Sequence, residues 1–509
     1  MLRKLKSLFT VTVFLSLIIS CSDNGNKSRT ALQEKILNDP GNYFYVDVKN
    51  YPSGDKTLPI GVFDSGTGGL TVLDAIVNFD KYNNENHMYT ETGDKKRDFN
   101  GESFIYLGDK ANMPYGEYSG KNKTDLLREH VLKDVQFLLG DKYYKSAGDQ
   151  NYSQDKKPVK AIVIACNTAT AFGKDYIEKF IADAGMDMKV IGVIGAGVRG
   201  SLAYINKDEN AAIGVMATNG TCSSNGYPNE IASQMEKMNY TGNIDVFQQA
   251  GIGLAAAIDG EKDYLDPAAD KPRDNYRGPS FTNELATIDK SILDRYGFDW
   301  SANNMLYDGS RENPGNLQIN SIDNYIAYHV VSFMEKVIKS KTSNPVKSVI
   351  LGCTHYPFYT DRFEAKFDEL YNYQENGKYV YRDYIAEDIK FIDPAINTAK
   401  ELYDYLGEKK LFNNGSIEDS EFYISVPNTQ NGNNVIDASG NFTYDYKYGR
   451  SEGSIQEYVK RVPFSRTTLP DELTGRLSKQ IPATFELIRD FNAVNSKMKN
   501  LDEDSKINR

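Results

Sequence analysis

The sequence predicts an α/β protein: two related parallel-sheet domains in a pseudo-twofold arrangement around a central cleft. Three observations carry that expectation. Short β-like apolar runs alternate with helical stretches, the pattern of a layered, mainly parallel sheet. Two such runs end in a cysteine with polar neighbours, Ala165-Cys166-Asn167-Thr168 and Gly352-Cys353-Thr354-His355. The first strand and turn are echoed later, Ile60-Gly61-Val62 by Ile213-Gly214-Val215 and Gly66-Thr67 by Gly220-Thr221.

In chain order, residues 58–63 read as a strand and Asp64-Ser65-Gly66-Thr67-Gly68-Gly69 as a strand-to-helix turn, with a helix over 70–80. Residues 103–107 form the next strand. The stretch 124–139 is an amphipathic helix presenting Leu126, Leu127, Val131, Val135, Phe137 and Leu138. The strand 159–165 runs into Cys166, a helix covers 172–184, and 189–194 reads as a strand. The second round adds a helix over 322–340 and a strand over 346–351 that leads to Cys353. Phe391-Ile392-Asp393-Pro394 is a late strand and turn, followed by helix through residue 406. The extra length of the second round is expected in a polar insertion near 259–320. Beyond 407, residues 413–440 read as polar turns and 442–448 as a hairpin strand. The segment 463–482 is too proline-punctuated for one helix, and 493–509 is charged enough to fray. That region holds no catalytic constellation of its own.

The N-terminus has a different character. Arg3, Lys4 and Lys6 precede an apolar run, 8–19, too short for a stable membrane span. Ile18-Ile19-Ser20-Cys21 then matches a lipoprotein-processing box. The expectation is a signal peptide over 1–20, lipid on Cys21, and a tether and N-terminal extension over 21–56. This implies a membrane anchor and a place in a bacterial cell envelope outside the cytoplasm.

The net charge is -11, and no basic, aromatic-laced stretch points to nucleic acid. Apart from Cys21, three cysteines remain, Cys166, Cys222 and Cys353. An odd number is not a disulfide framework. The four histidines have no metal-ligand spacing, so no metal is expected. The glycine-rich turn lacks the Gly-Lys-Ser/Thr ending of a phosphate loop and the context of a dinucleotide site.

Thiolates are bases as well as nucleophiles. One on each side of a substrate would remove and return a proton on opposite faces. Asn167, Thr168 and Thr354 place donors beside the two thiols. Asp64 is placed to orient or exchange a proton with Cys166, and Ser65 with the following amides to bind substrate. His355 is placed to assist Cys353. A Cys–His pair also serves acyl transfer, but that chemistry has no need of a second matching cysteine. Pro114-Tyr115-Gly116 lies in a turn-rich loop suited to holding a carboxylate, and Thr218, Thr221, Ser224 and Tyr227 make a polar shelf. Cys222 has no matching partner and is read as structural.

Together these segments resemble the aspartate/glutamate racemase superfamily, most closely glutamate racemase. The resemblance covers about residues 57–405 and rests on the run from Ile60 to Gly69, Pro114-Tyr115-Gly116, Ala165-Cys166-Asn167-Thr168-Ala169, Gly352-Cys353-Thr354-His355-Tyr356-Pro357 and Phe391-Ile392-Asp393-Pro394. It implies a first domain over 57–191 completed by 388–406, a second over 192–387, and a C-terminal extension over 407–509. It implies Cys166 and Cys353 as the acid/base pair, Asp64 and His355 as their assistants, and Ser65, Pro114, Tyr115, Gly116, Asn167, Thr168, Thr218 and Thr354 as substrate-binding positions. It also implies a small acidic amino acid as substrate, neither metal nor pyridoxal phosphate, and a homodimer, as the family often forms. The family carries an acidic residue and a proline near residues 193–197; this chain has Gly195-Ala196 there. That departure keeps other outcomes open: an aspartate or other amino-acid racemase, a related cysteine-dependent lyase or isomerase, or a ligand-binding lipoprotein. Glutamate racemase normally supplies D-glutamate for cell-wall precursors inside the cell; a lipid-anchored enzyme would instead meet released or environmental amino acids.

Overall fold

The computed structural model describes residues 29–507 apart from 91, 259 and 500. The expected signal peptide, Cys21 and the first part of the expected tether lie outside the described residues. Among the described residues, no helix is long and apolar enough to cross a membrane.

Among the described residues, ten strands form the two larger sheets: β1 Ile60–Asp64, β2 Phe104–Gly108, β3 Ala161–Ile164, β4 Val190–Gly192, β5 Ala211–Ala217, β6 Ile244–Ala250, β7 Val346–Gly352, β8 Ile385–Ile392, β9 Glu421–Pro427 and β10 Val459–Pro463. The first sheet runs β10-β9-β2-β1-β3-β4 and the second β8-β7-β5-β6. All pairings are parallel except β9 with β10. β1, β2, β3, β5 and β7 are buried almost throughout, which is why they read as short continuous apolar runs and not as alternating ones.

Two helices have the bounds that their periodicity predicts, Thr124–Leu139 and Ile322–Ser340. The expected strand over 189–194 is shorter. β4 stops at Gly192, and the helix Val193–Leu202 starts at once with that glycine as its N-cap. The polar stretch before residue 320 is folded. It contains a hairpin, Met305–Ser310 with Asn313–Ile319, whose Met305, Leu317 and Ile319 join the core of the second sheet. The helix Pro394–Glu408 returns to pack on Leu70–Val77 and on Val193–Leu202.

The C-terminal segment overturns three local expectations. Residues 413–440 are not only turns, because Phe422, Tyr423 and Ile424 of β9 are completely buried beside β2. Residues 442–448 are not a strand but contain most of the helix Tyr444–Gly449. The alternating tyrosines that mimic a strand also fit a helix, and Tyr444 and Tyr448, four apart, lie with ring centroids 4.8 Å apart. The charged end does not fray over its described part: Met498 and Ile507 are buried, the Ile507 amide donates to Asn492 Oδ1 at 3.2 Å, and the Arg466 amide donates to Ser505 O at 2.9 Å.

A buried polar cluster ties this segment to the core. Arg461, on β10, is 2% exposed and reaches Asp134 Oδ1 at 3.3 Å. The Tyr115 hydroxyl lies 2.6 Å from Asp109 Oδ2 and 2.7 Å from Asp134 Oδ2. One phenol proton cannot serve two carboxylates, so one carboxyl must donate back to the phenol oxygen. Burial, then the adjacent Asp109 charge, push Asp134 well above the usual carboxylate range against the pull of Arg461, which makes Asp134 the protonated member.

Asp134→Asn keeps a neutral donor and acceptor in place, so its stability should stay within about 1 kcal/mol of wild type at neutral pH. Asp134→Ala strips the buried Arg461 guanidinium and the Tyr115 phenol of a hydrogen-bond partner and should cost about 3 kcal/mol in urea unfolding. A folded-state proton that the unfolded chain has released makes stability fall as pH rises from about 4 toward the raised value. The wild type should show this loss relative to Asp134→Asn. Parallel stability–pH curves for the two proteins would refute the protonated assignment.

Candidate active site

The site is built at the carboxyl ends of parallel strands, where loops from adjacent strands converge. Phe63 of β1 pairs with Ile164 of β3, so Asp64-Ser65 and Ala165-Cys166 leave the first sheet side by side. Ala217 of β5 pairs with Gly352 of β7, and Thr218 and Cys353 each follow by one residue. The two sheets thus repeat one construction, each raising a thiol next to a hydroxyl-bearing residue.

Cys166 is the N-cap of the helix Asn167–Asp183, its sulfur accepting from the Ala169 amide at 3.4 Å. Its thiol points to Ser65 Oγ at 3.7 Å. Asp64 Oδ2 accepts from the Gly66 and Gly69 amides, both at 3.0 Å. A Cβ on Gly69 would stand 2.5 Å from Asp64 Cβ, so only glycine lets the turn close over that carboxylate. Burial raises the Asp64 carboxyl, opposed by the Gly69 and Gly66 amides. Burial first, then the Asp64 charge, push the Cys166 thiol up to about 12. The free protein therefore holds Cys166 as a thiol.

On the facing side, Cys353 Sγ lies 3.8 Å from His355 Nδ1, and Thr354 Oγ1 lies 3.4 Å from the same nitrogen. Tyr227, fully buried on the helix Gly226–Lys237, donates to Asn167 Oδ1 at 3.1 Å and so joins the two halves. That bond uses the amide oxygen of Asn167 and leaves its nitrogen as a donor. Thr218 caps the short helix Asn219–Ser223 through the Thr221 amide at 3.4 Å.

One cleft of about 310 Å³ collects both cysteines with Asp64, Ser65, Pro114, Asn167, Thr168, Thr218, Thr354 and His355. Tyr115 and Gly116 do not line it. The Tyr115 hydroxyl is taken up by Asp109 and Asp134 beneath the loop, so the residue supports Pro114 from below. Three lining residues were invisible to sequence reasoning, Arg476, Leu477 and Gln480 of the helix Asp471–Gln480. Nothing in the local pattern of 463–482 marks them; only the tertiary fold carries that helix to the cleft.

A second cavity of about 230 Å³ adjoins the first across Thr71, Asn167 and Cys353, with Val193, Leu351, Pro357, Phe358 and Pro394 on its apolar wall. Asp393 borders it, pushed up to about 6 by burial while it caps the helix Pro394–Glu408. At the departure noted above, a Cβ on Gly195 would meet Glu230 Oε1 at 3.0 Å and Arg199 at 3.3 Å. The space next to Gly195 is therefore occupied by a carboxylate and a guanidinium from neighbouring positions. Cys222 is not among the cleft-lining residues; its thiol points to Ala217 O at 3.9 Å, and burial pushes it up to about 11. Among the described residues, no group of three or more His, Cys, Asp or Glu side chains has the arrangement of a metal site.

No family model matches the chain. A glutamate racemase from Thermoanaerobacter pseudethanolicus is 27% identical over 368 residues, 72% of this chain and 88% of that protein. One from Lactobacillus acidophilus is 24% identical over 367 residues, with the same shares of each. Among solved structures, a glutamate racemase isoform from Bacillus anthracis aligns over 72% of this chain and 87% of that one, at 20% identity and a TM-score of 0.41.

The electrostatic coupling at Cys166 has a direct readout. Asp64→Asn keeps an oxygen for the Gly66 and Gly69 amides but removes the negative charge, so the thiol should ionise at lower pH. Iodoacetamide labelling of Cys166, followed by mass spectrometry across pH 6–10, should reach half-maximal rate at lower pH in the variant. An unchanged or higher midpoint would show that Asp64 does not hold the thiol protonated.

Proposed function

We propose that the chain belongs to the aspartate/glutamate racemase superfamily and that it interconverts the L and D forms of a small acidic amino acid, glutamate foremost, without a cofactor. The observation that carries this is the presence of two unpaired thiols, raised by two different sheets, in the wall of one cleft. A hydrolase or acyl transferase needs one nucleophile; two-base proton exchange needs two opposed acid/base groups.

The two sides are not equivalent at rest. Cys166 is kept protonated by burial and Asp64, which suits it to donate. Cys353 has an imidazole nitrogen 3.8 Å away to receive its proton, which suits it to act first as the base. In this direction the Cys353 thiolate takes the Cα proton while the Cys166 thiol delivers its own to the opposite face. Cys353 ends as thiol and Cys166 as thiolate, the starting state for the reverse reaction. The Asn167 and Thr168 amides at the start of a seventeen-residue helix, together with the hydroxyls of Ser65, Thr218 and Thr354, supply donors for the α-carboxylate and for charge that develops on it as the proton leaves.

Glutamate is placed first because it is the substrate in the names of the relatives. Gly195-Ala196, with Glu230 and Arg199 beside it, is the reason to test aspartate in parallel. We also read Cys21 as the lipid-bearing residue after Ile18-Ile19-Ser20, which would place the enzyme in the cell envelope, outside the cytoplasm, acting on released or environmental amino acids.

In deuterium oxide, the protein should place deuterium at Cα of the enantiomer it forms from L- or D-glutamate. Cys166→Ser and Cys353→Ser should each lower racemisation by about 10²–10⁴-fold while staying folded. Near-normal turnover by either variant would remove the two-thiol mechanism. Exchange with aspartate but not glutamate would keep the mechanism and change the substrate.

A further inference from the structure

We propose that Arg476, supplied by the C-terminal helix Asp471–Gln480, is the specificity-determining residue of the cleft, its guanidinium taking the side-chain carboxylate of the acidic substrate. This rests on the racemase reading above and deepens it by naming what selects a dicarboxylate.

The charge inventory of the cleft leads to this residue. Asp64 is an acid, the two cysteines are acids, His355 is committed to the Cys353 proton at 3.8 Å, and the remaining polar side chains of the two sheets facing the cleft are chiefly hydroxyls and an amide. Such groups, with a helix N-terminus, can hold one carboxylate. They do little for a second carboxylate that enters beside Asp64 and a developing thiolate, because a further negative charge there raises the energy of every other one. A substrate with two carboxylates therefore calls for a fixed positive charge. Among the described residues lining the cleft, Arg476 is the one lysine or arginine. Arginine remains charged across the working pH range and meets a carboxylate with two parallel N–H donors.

The structure also fixes where Arg476 stands. Leu473 packs on the core of the first sheet and Leu477, one turn on, is buried in it. Arg476 and Gln480, also one turn apart, fall together on the cleft-lining face. The helix ends at Ile481, which is fully buried, and continues into the helix Pro482–Val494, whose Thr484 amide donates to Asp74 Oδ1 at 3.0 Å. Asp74 lies on the helix Leu70–Val77, directly after the Asp64–Gly69 turn. The cation is thus mounted on an element braced against the part of the protein that carries Asp64, and Gln480 adds a neutral donor beside it.

The test compares the purified full-length protein with Arg476→Gln and Arg476→Lys, using D-glutamate and D-norvaline, which has a methyl group in place of the side-chain carboxylate. Steady-state racemisation gives kcat and KM, and calorimetric titration with glutarate reports dicarboxylate binding independently of turnover. In Arg476→Gln the KM for glutamate should rise about 10- to 100-fold, kcat/KM for norvaline should stay level or rise, and glutarate affinity should fall in step. Arg476→Lys should recover part of the loss. Equal changes for glutamate and norvaline, or unchanged glutarate affinity, would overturn the assignment. A wild-type protein that binds glutarate through Arg476 but exchanges no Cα proton would instead defeat the racemase reading and leave the dicarboxylate site standing.

Discussion

The contact on which much else depends is the one between Arg461 and Asp134, a guanidinium and a carboxyl with almost no access to water. Placing an arginine inside a sheet-and-helix core is costly, and removing its partner would leave the buried guanidinium short of a hydrogen-bond acceptor. The chain meets the cost by surrounding it: Asp134 comes from the helix Thr124–Leu139, Asp109 follows β2, and Tyr115 ties the two carboxyls together. Arg461 can occupy that position only if β10 is paired with β9, and β9 with β2. The cluster therefore couples the C-terminal segment to the loop over residues 109–116, whose Pro114 stands in the wall of the cleft. From outside, the same segment also holds that loop: Arg450 donates to Asn112 Oδ1 at 2.7 Å, Lys447 to Met113 O at 2.7 Å and Tyr448 to Pro114 O at 3.3 Å. The extension is part of the scaffold of the site.

Under the proposed two-thiol exchange, the electrostatics of the cleft allow a thiol with so high a resting value to take part. Burial and Asp64 oppose ionisation of Cys166 in the empty protein. A bound amino acid brings an ammonium group into the same confined space, and a cation beside a thiolate lowers its cost. On the proposed reaction, substrate binding is then more than alignment, because it changes the acid/base balance at Cys166. The net charge of -11 does not oppose the proposed anionic substrate, since the donors assigned to it are local: helix-end amides, hydroxyls and one guanidinium.

What could be read from the sequence follows from whether the signal was local. The continuous apolar runs of β1, β3 and β7 lie in strands buried almost throughout, and their ends carry Asp64, Cys166 and Cys353; strand and chemistry lie within a few residues of each other. The helices Thr124–Leu139 and Ile322–Ser340 announce themselves by period. Tyr115 was visible as a motif, yet its role depends on Asp109 and Asp134, residues that look like ordinary surface acids until the fold buries them. β9 was hidden because its apolar stretch, 422–426, is short and set among polar turns. Tyr444 and Tyr448 satisfied a strand period and a helix period at once. Arg476 had no local signal at all, because a single arginine in a proline-punctuated segment reads as surface.

That last case bears on why such an extension would be retained around this site. A cleft formed by strand-end loops of two sheets is rich in amides and hydroxyls, and on the proposed reading those groups take the α-carboxylate common to all amino acids. They do not by themselves distinguish one side chain from another. A separate element that delivers a charged group to the rim adds discrimination without disturbing the loops that hold the thiols. For such an element to discriminate, it must be rigid, since a mobile arginine would surrender in ordering entropy much of what it gains in contact. The two added strands, the buried Arg461 and the Thr484–Asp74 bond provide that rigidity. On this argument the cost of burying Arg461 and the positioning of Arg476 belong to one design: the first fixes the segment in the core, and the second uses the fixed segment at the substrate.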